Sequence, residues 1–109
     1  MIIRKPTILI YTAQPDCDFL KEICAGIEEE GLLYEVVAKE TKDIDSLAWQ
    51  AANDSMLGSG IGACGQKIAL QMQSVPKGKN VQYYNMPTYE QCRILGANSA
   101  RAIKKQRLK

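Results

Sequence analysis

Gly60-Ile61-Gly62-Ala63-Cys64-Gly65 satisfies G-x-G-x-x-G and is the first candidate for chemistry in this sequence. In a dinucleotide site such glycines let the backbone approach a pyrophosphate at the N-terminus of the helix that follows. Here the next residues are Lys67–Met72, where Ile68, Leu70 and Met72 alternate with Lys67, Ala69 and Gln71. That period of two belongs to a strand. The carboxylate expected about 20 residues on, to hold a ribose, is missing from Val81–Tyr84. The glycines therefore read as structural, serving a tight strand-to-strand connection that needs positive φ or close backbone approach.

Glu28-Glu29-Glu30 falls in the last turn of an expected helix. The macrodipole presents partial negative charge there, so each carboxylate costs roughly 0.3–1 kcal/mol when poorly screened. The run is either a solvated face or a corner met by something cationic, a hard divalent ion or a basic partner surface. Trp49 sits about 100° round its helix from the inward stripe. It either caps the edge of the core or marks a contact surface. The end of the chain, Arg101 to Lys109, is basic, as the macrodipole favours at a helix C-terminus, and no aromatic platform for bases accompanies it. The chain has no His, which removes Ser-His-Asp and Cys-His devices and the common His metal sites. Cys17, Cys24, Cys64 and Cys92 never form C-x-x-C and are expected to be reduced core thiols. No paired acid–base constellation is present, so no catalytic and no cofactor-binding residue is assigned.

These residues need a scaffold. Thr7–Tyr11 reads as a buried strand and Ala13–Asp16 as a turn, with Asp16 or Asp18 capping a helix whose apolar face is Phe19, Leu20, Ile23, Cys24 and Ile27. Gly31 is placed to end that helix. Leu32–Ala38 is a second strand. A second helix follows, capped by Asp43 or Asp45, with Ile44, Leu47, Ala48 and Ala51 inward. Such alternation predicts a mostly parallel sheet with right-handed crossovers. Leu57–Ile61 is a third strand and Lys67–Met72 a fourth. The residues 63–66 between them are too few for a parallel crossover, so the fourth strand is antiparallel. Val81–Tyr84 is a fifth strand. Thr88 with Gln91 forms a capping box for a last helix, with Cys92, Leu95, Ala102 and Ile103 inward and a bend expected at Gly96.

The chain has 109 residues, 46% hydrophobic and 24% charged, which predicts a single domain over residues 1–109. Fourteen Lys and Arg against twelve Asp and Glu give +2, too little to argue for nucleic acid. No apolar run reaches the roughly 18 residues of a membrane span and no signal-peptide pattern opens the sequence, so a cytoplasmic protein is expected.

Three stretches carry a resemblance: Glu22-Ile23-Cys24-Ala25-Gly26-Ile27-Glu28-Glu29-Glu30-Gly31, Gly60-Ile61-Gly62-Ala63-Cys64-Gly65 with Lys67-Ile68-Ala69-Leu70, and Leu95-Gly96-Ala97-Asn98-Ser99-Ala100-Arg101. In this order and spacing the chain resembles the small subunit of the diol and glycerol dehydratase-reactivating factors. The medium subunit of the adenosylcobalamin-dependent dehydratases shares similar segments but is longer at both ends. It is the alternative reading, and an RNA-binding module by fold analogy is a third.

The resemblance implies a three-layer α/β/α sandwich on a mixed five-stranded sheet with the fourth strand antiparallel, related to the anticodon-binding domains of class II aminoacyl-tRNA synthetases. It implies a non-catalytic subunit with no cofactor of its own, paired with a large ATPase subunit. In that scheme the factor binds an enzyme inactivated by damaged cobalamin, displaces the matching dehydratase subunit and lets the cofactor leave. The partners implied are the reactivase large subunit and the dehydratase large subunit, in the cytoplasm and in association with a bacterial microcompartment. The resemblance also places Glu29 at a magnesium ion shared with the large subunit. The interface is expected at Glu28, Glu29, Glu30 and Trp49.

Overall fold

The computed structural model describes residues 6–109. The chain runs β1 (Ile8–Pro15), α1 (Cys17–Glu29), β2 (Tyr34–Ala38), α2 (Ile44–Asp54), β3 (Ser59–Gly65), β4 (Lys67–Met72), β5 (Gln82–Asn85) and α3 (Tyr89–Ile103). Among the described residues these strands form one sheet in the order β2-β1-β3-β4-β5. β1 pairs in parallel with β2 and β3, whereas β4 runs antiparallel to β3 and β5. The sheet is thus mixed, with the fourth strand reversed, as loop length required.

Alternation along each strand sorts the side chains into two layers. Ile8, Ile10, Ile61, Ala63, Ile68 and Leu70 join Ile23 and Ile27 of α1 and Leu95 of α3 in the main core. On the other face Tyr11 and Ala13 pack with Leu47 and Ala51 of α2. The result is a three-layer α/β/α sandwich with α1 and α3 on one face and α2 on the other. Among the described residues no helix is long and apolar enough to cross a membrane.

Several boundaries differ from the sequence expectation. β1 continues through the expected turn to Pro15, because β3 is longer than expected and pairs Ala13 with Cys64 and Pro15 with Gly65. Gln14 absorbs the irregularity in a left-handed conformation, φ 49°. β2 begins at Tyr34 and not at Leu32, and β5 is shifted one residue on. α3 is one helix across Gly96, where a bend was expected. Asp16 is the N-cap of α1, its side chain accepting from the backbone N–H groups of Asp18 and Phe19 at 3.0 and 3.1 Å. Thr88 and Gln91 make the reciprocal capping box of α3.

The largest correction concerns the glycines. Gly60 and Gly62 do not lie in a connection; they are in the middle of β3, paired with Gln71 and Ala69 of β4. The hairpin itself is the two residues Gly65-Gln66, with Cys64 opposite Lys67. Gly60 and Gly62 are needed because α2 lies directly on them. A Cβ on Gly62 would sit 2.8 Å from the backbone N of Ala48, and one on Gly60 2.1 Å from that of Ala52. Gly-x-Gly on the strand and Ala48, Ala51 and Ala52 on the helix form one close contact between layers. Gly62→Ala should therefore cost about 1–2 kcal/mol by overpacking. Urea denaturation tests this, and an unchanged midpoint would mean that α2 can lift away freely.

Candidate functional site

α1 and α3 lie side by side on one face of the sheet. α1 follows β1 and α3 follows β5, two strands that point the same way, and each helix runs back along the sheet, so the two helices are parallel. Parallel helices pair at a constant sequence offset, and Glu22–Arg93 and Glu30–Arg101 are each separated by 71 residues. Between those ion pairs the helices touch through glycine. A Cβ on Gly26 would lie 2.1 Å from the carbonyl O of Arg93, and one on Gly96 2.1 Å from that of Ile23. This close approach sets the position of every charge at the corner.

The corner is where α1 ends. Gly31 takes φ +80° and stops the helix. Successive helical residues diverge by about 100°, so Glu28, Glu29 and Glu30 point three ways. Glu28 turns towards β2 and accepts a hydrogen bond from the Tyr34 hydroxyl at 2.8 Å. That bond, with burial, raises the Tyr34 pKa far above its usual value. Glu30 turns towards α3, and its side chain is only 11% exposed. It accepts from Arg101 Nε at 3.2 Å and from Lys104 Nζ at 3.2 Å, with Lys109 Nζ at 4.0 Å. Burial pushes its carboxyl upward, but the hydrogen bonds and charges of Lys104 and Arg101 outweigh that and hold it below the usual range. Lys104 Nζ also donates to the Glu30 carbonyl at 2.9 Å. The last turn of α1 contains no basic residue, so α3 and the tail supply the cations that its macrodipole favours.

Glu29 is different. Its side chain is 48% exposed, and its ion-pair contact is Arg93 Nη1 at 3.4 Å. Arg93 donates its other terminal nitrogen to Glu22, at 2.7 and 3.3 Å to the two oxygens. Glu28 and Glu29 are both exposed, and Glu30 is the covered member of the acidic run. Among the described residues no group of three or more His, Cys, Asp or Glu could hold a metal ion. The oxygen chemistry of Glu29 suits magnesium, but this chain offers it one ligand and the rest must come from elsewhere.

The basic end is held down, not free. Asn98, fully buried, accepts from the Lys109 backbone N–H at 2.7 Å and donates to the Gln82 side chain at 3.1 Å. Arg101 donates to the Arg107 carbonyl at 3.1 Å. Ser99, also buried, gives its hydroxyl proton to the Gly96 carbonyl at 2.6 Å. Each polar member of the segment Leu95–Arg101 thus has a structural partner.

Trp49 is 37% exposed, with the Lys77 ammonium 5.8 Å from its ring centre. It lies on α2, across the sheet from the acidic corner, so the structure does not bring it together with Glu28, Glu29 and Glu30. The cysteines are all free, but only Cys92 is a core thiol: Cys24 and Cys64 are half-buried and Cys17 is exposed. Burial, with the charges of Asp16 and Glu22, pushes the Cys92 thiol up to about 11. Beside Cys24, an open groove of about 490 Å³ runs along α1 between Cys17 and Glu28, with Tyr34 at its side.

Sequence reasoning missed Glu22, Arg93, Arg101, Lys104 and Asn98. A signal existed. Glu22 and Glu30 are spaced like Arg93 and Arg101, so a parallel helix pair would match them charge for charge.

A family model described as dehydratase medium subunit matches residues 5–109. The small subunit of the propanediol dehydratase-reactivating factor of Citrobacter freundii is 30% identical over 103 residues, covering 91% of this chain and 86% of that protein. A solved diol dehydratase-reactivating factor, complexed with ADP and Mg2+, superposes with a TM-score of 0.90 at 24% identity, over 97% of this chain and 99% of that one. A glycerol dehydratase reactivase superposes with a TM-score of 0.91 at 25% identity, over 96% and 97%.

Proposed function

Because this chain belongs to the dehydratase medium subunit family, we propose that it is the small subunit of a reactivating factor for an adenosylcobalamin-dependent diol or glycerol dehydratase. The observation that carries the reading is the match to a reactivating-factor small subunit across most of both chains. The exposed carboxylates at the end of α1 support it as a binding surface. In this reading the chain has no catalytic residues and acts through its surfaces. It pairs with a large subunit that hydrolyses ATP, and the assembled factor exchanges subunits with an inactivated dehydratase so that damaged cobalamin leaves.

Glu29 is the contact to the large subunit in this reading. A magnesium ion bound there would supply positive charge shared between carboxylates of the two chains. The part of this chain is to hold one oxygen ligand at the end of a helix whose macrodipole welcomes a cation. Glu28 flanks it, and Trp49 on the opposite layer is a second, separate contact.

The test is assembly with the reactivating-factor large subunit of the same organism, measured by titration calorimetry with and without magnesium. Glu29→Gln should weaken assembly about tenfold or more, on the scale of other losses around metal sites. Glu28→Gln should do so less. Equal affinities for parent and Glu29→Gln would sink this role for the corner. The description of the family model keeps one other reading open, a dehydratase medium subunit. Stable assembly with a dehydratase large subunit, and none with a reactivase large subunit, would favour it.

A further inference from the structure

Arg93 holds two carboxylates at once, and it holds them unequally. Its backbone is pressed against α1 at Gly26, where even a methyl group would meet its carbonyl oxygen at 2.1 Å. From that point its side chain reaches Glu22 and Glu29, seven residues apart on α1 and hence on the same side of that helix, two turns from each other. To Glu22 it makes a close charge-assisted hydrogen bond at 2.7 Å, with the second oxygen at 3.3 Å. To Glu29 it makes only an ionic contact at 3.4 Å, longer than the 2.7–2.9 Å of a good bond between ions. The Glu29 side chain is 48% exposed, so about half of it is open to solvent.

We propose that Arg93 is a built-in competitor for the cation that Glu29 binds, and that Glu22 sets how strongly it competes. The proposal rests on the reading of Glu29 given above. A cation arriving at Glu29 meets the guanidinium on the far side of the same carboxylate and is repelled by it. Glu22 limits this repulsion by drawing Arg93 away, so that Glu29 stays paired when alone yet yields when the partner arrives. Arg93 is a positioning residue here. It does not touch the cation, and neither does Glu22.

The two charges would lie some 6 Å apart in a largely aqueous setting, where a divalent ion and a guanidinium repel enough to alter binding about three- to tenfold, less with added salt. The signs are opposite for the two residues. Arg93→Gln should tighten assembly with the large subunit by that factor. Glu22→Gln should weaken it about two- to fivefold, since Arg93 then turns fully to Glu29. Both effects should vanish in the Glu29→Gln background, and Arg93→Lys should stay near the parent. The cation is either magnesium or a basic side chain of the partner, and the two differ in charge. If it is magnesium, the gain from Arg93→Gln appears only when the ion is present; if it is a side chain, a smaller gain appears with or without it. Melting curves of each variant check the fold. Weaker assembly for both Arg93→Gln and Glu22→Gln would mean a structural role for the pair and would overturn the inference. An unchanged affinity for Arg93→Gln, with Glu29→Gln still damaging, would overturn the inference and leave the Glu29 reading standing. An unchanged affinity for Glu29→Gln would remove both.

Discussion

Gly96→Val should destabilise this protein by more than about 3 kcal/mol and leave much of it unfolded under mild conditions. Glycine in a helix interior is about 1 kcal/mol worse than alanine when nothing else intervenes. Substitution in a roomy helix would therefore be stabilising, and the expected sign here is the reverse. The first side-chain carbon at Gly96 would lie 2.1 Å from the Ile23 carbonyl oxygen and 2.9 Å from its carbonyl carbon. These are backbone atoms of a packed helix, which cannot rotate aside. The helices must separate, and Ile23, Ile27 and Leu95, all fully buried, then lose their packing on the sheet. Separation also pulls apart Glu22–Arg93 and Glu30–Arg101. Overpacking a core usually costs about 1–3 kcal/mol. A branched side chain against rigid backbone exceeds that range. Gly96→Ala should show the same sign with a smaller loss, and Gly26→Ala should match it. Guanidinium unfolding followed by circular dichroism measures all three. A variant that melts within a degree or two of the parent would show that α1 and α3 are not locked at these positions.

Glu30→Gln should cost about 2 kcal/mol. Removing one partner of a well-buried ion pair typically costs about 3–5 kcal/mol, and the cations here are partly exposed, which lowers the figure. The loss comes from Arg101 and Lys104 left facing a neutral amide, and from weaker docking of the tail. It should depend on pH in a stated direction. The neighbouring cations set the Glu30 pKa lower in the folded chain than the usual unfolded value of about 4.3. Its contribution is therefore fully present above that value and is lost as pH falls through the lowered folded value. Parent and variant should differ most near neutrality and converge in acid, once pH has fallen through the lowered folded value. A stability gap that stays constant down to strongly acidic pH would show that the carboxylate charge is not what Glu30 contributes. The same variant separates fold from assembly: Glu30→Gln should lower the melting temperature, whereas Glu29→Gln should leave it nearly unchanged.

Much of this protein is legible from local pattern. Asp16, Gly31 and the Thr88–Gln91 pair mark helix ends because capping involves residues within one turn of each other. The alternation of Ile68, Leu70 and Met72 marks β4, because a strand presents every second residue to the core. The short span before β4 is enough to make it antiparallel. From strands and helices in that order, a layered α/β sandwich follows.

Tertiary structure decided what local pattern does not contain, the distances between elements far apart in the chain. Glu28, Glu29 and Glu30 are one acidic run in sequence. Only the parallel register of α1 with α3 sends Glu30 to Arg101 and Lys104, brings Glu29 to Arg93 and leaves Glu28 to Tyr34. The same holds for Gly60 and Gly62, whose type announces close approach. Whether the close neighbour is a turn, a ligand or a helix depends on where α2 lands. β1 runs past its expected end because its ladder partner, 51 residues away in the pairing of Leu9 with Gly60, extends far enough to receive it. Composition and periodicity report which face of an element is buried. They do not report which residue of a distant element meets it, and at a surface corner made of charges that pairing determines which carboxylate is covered.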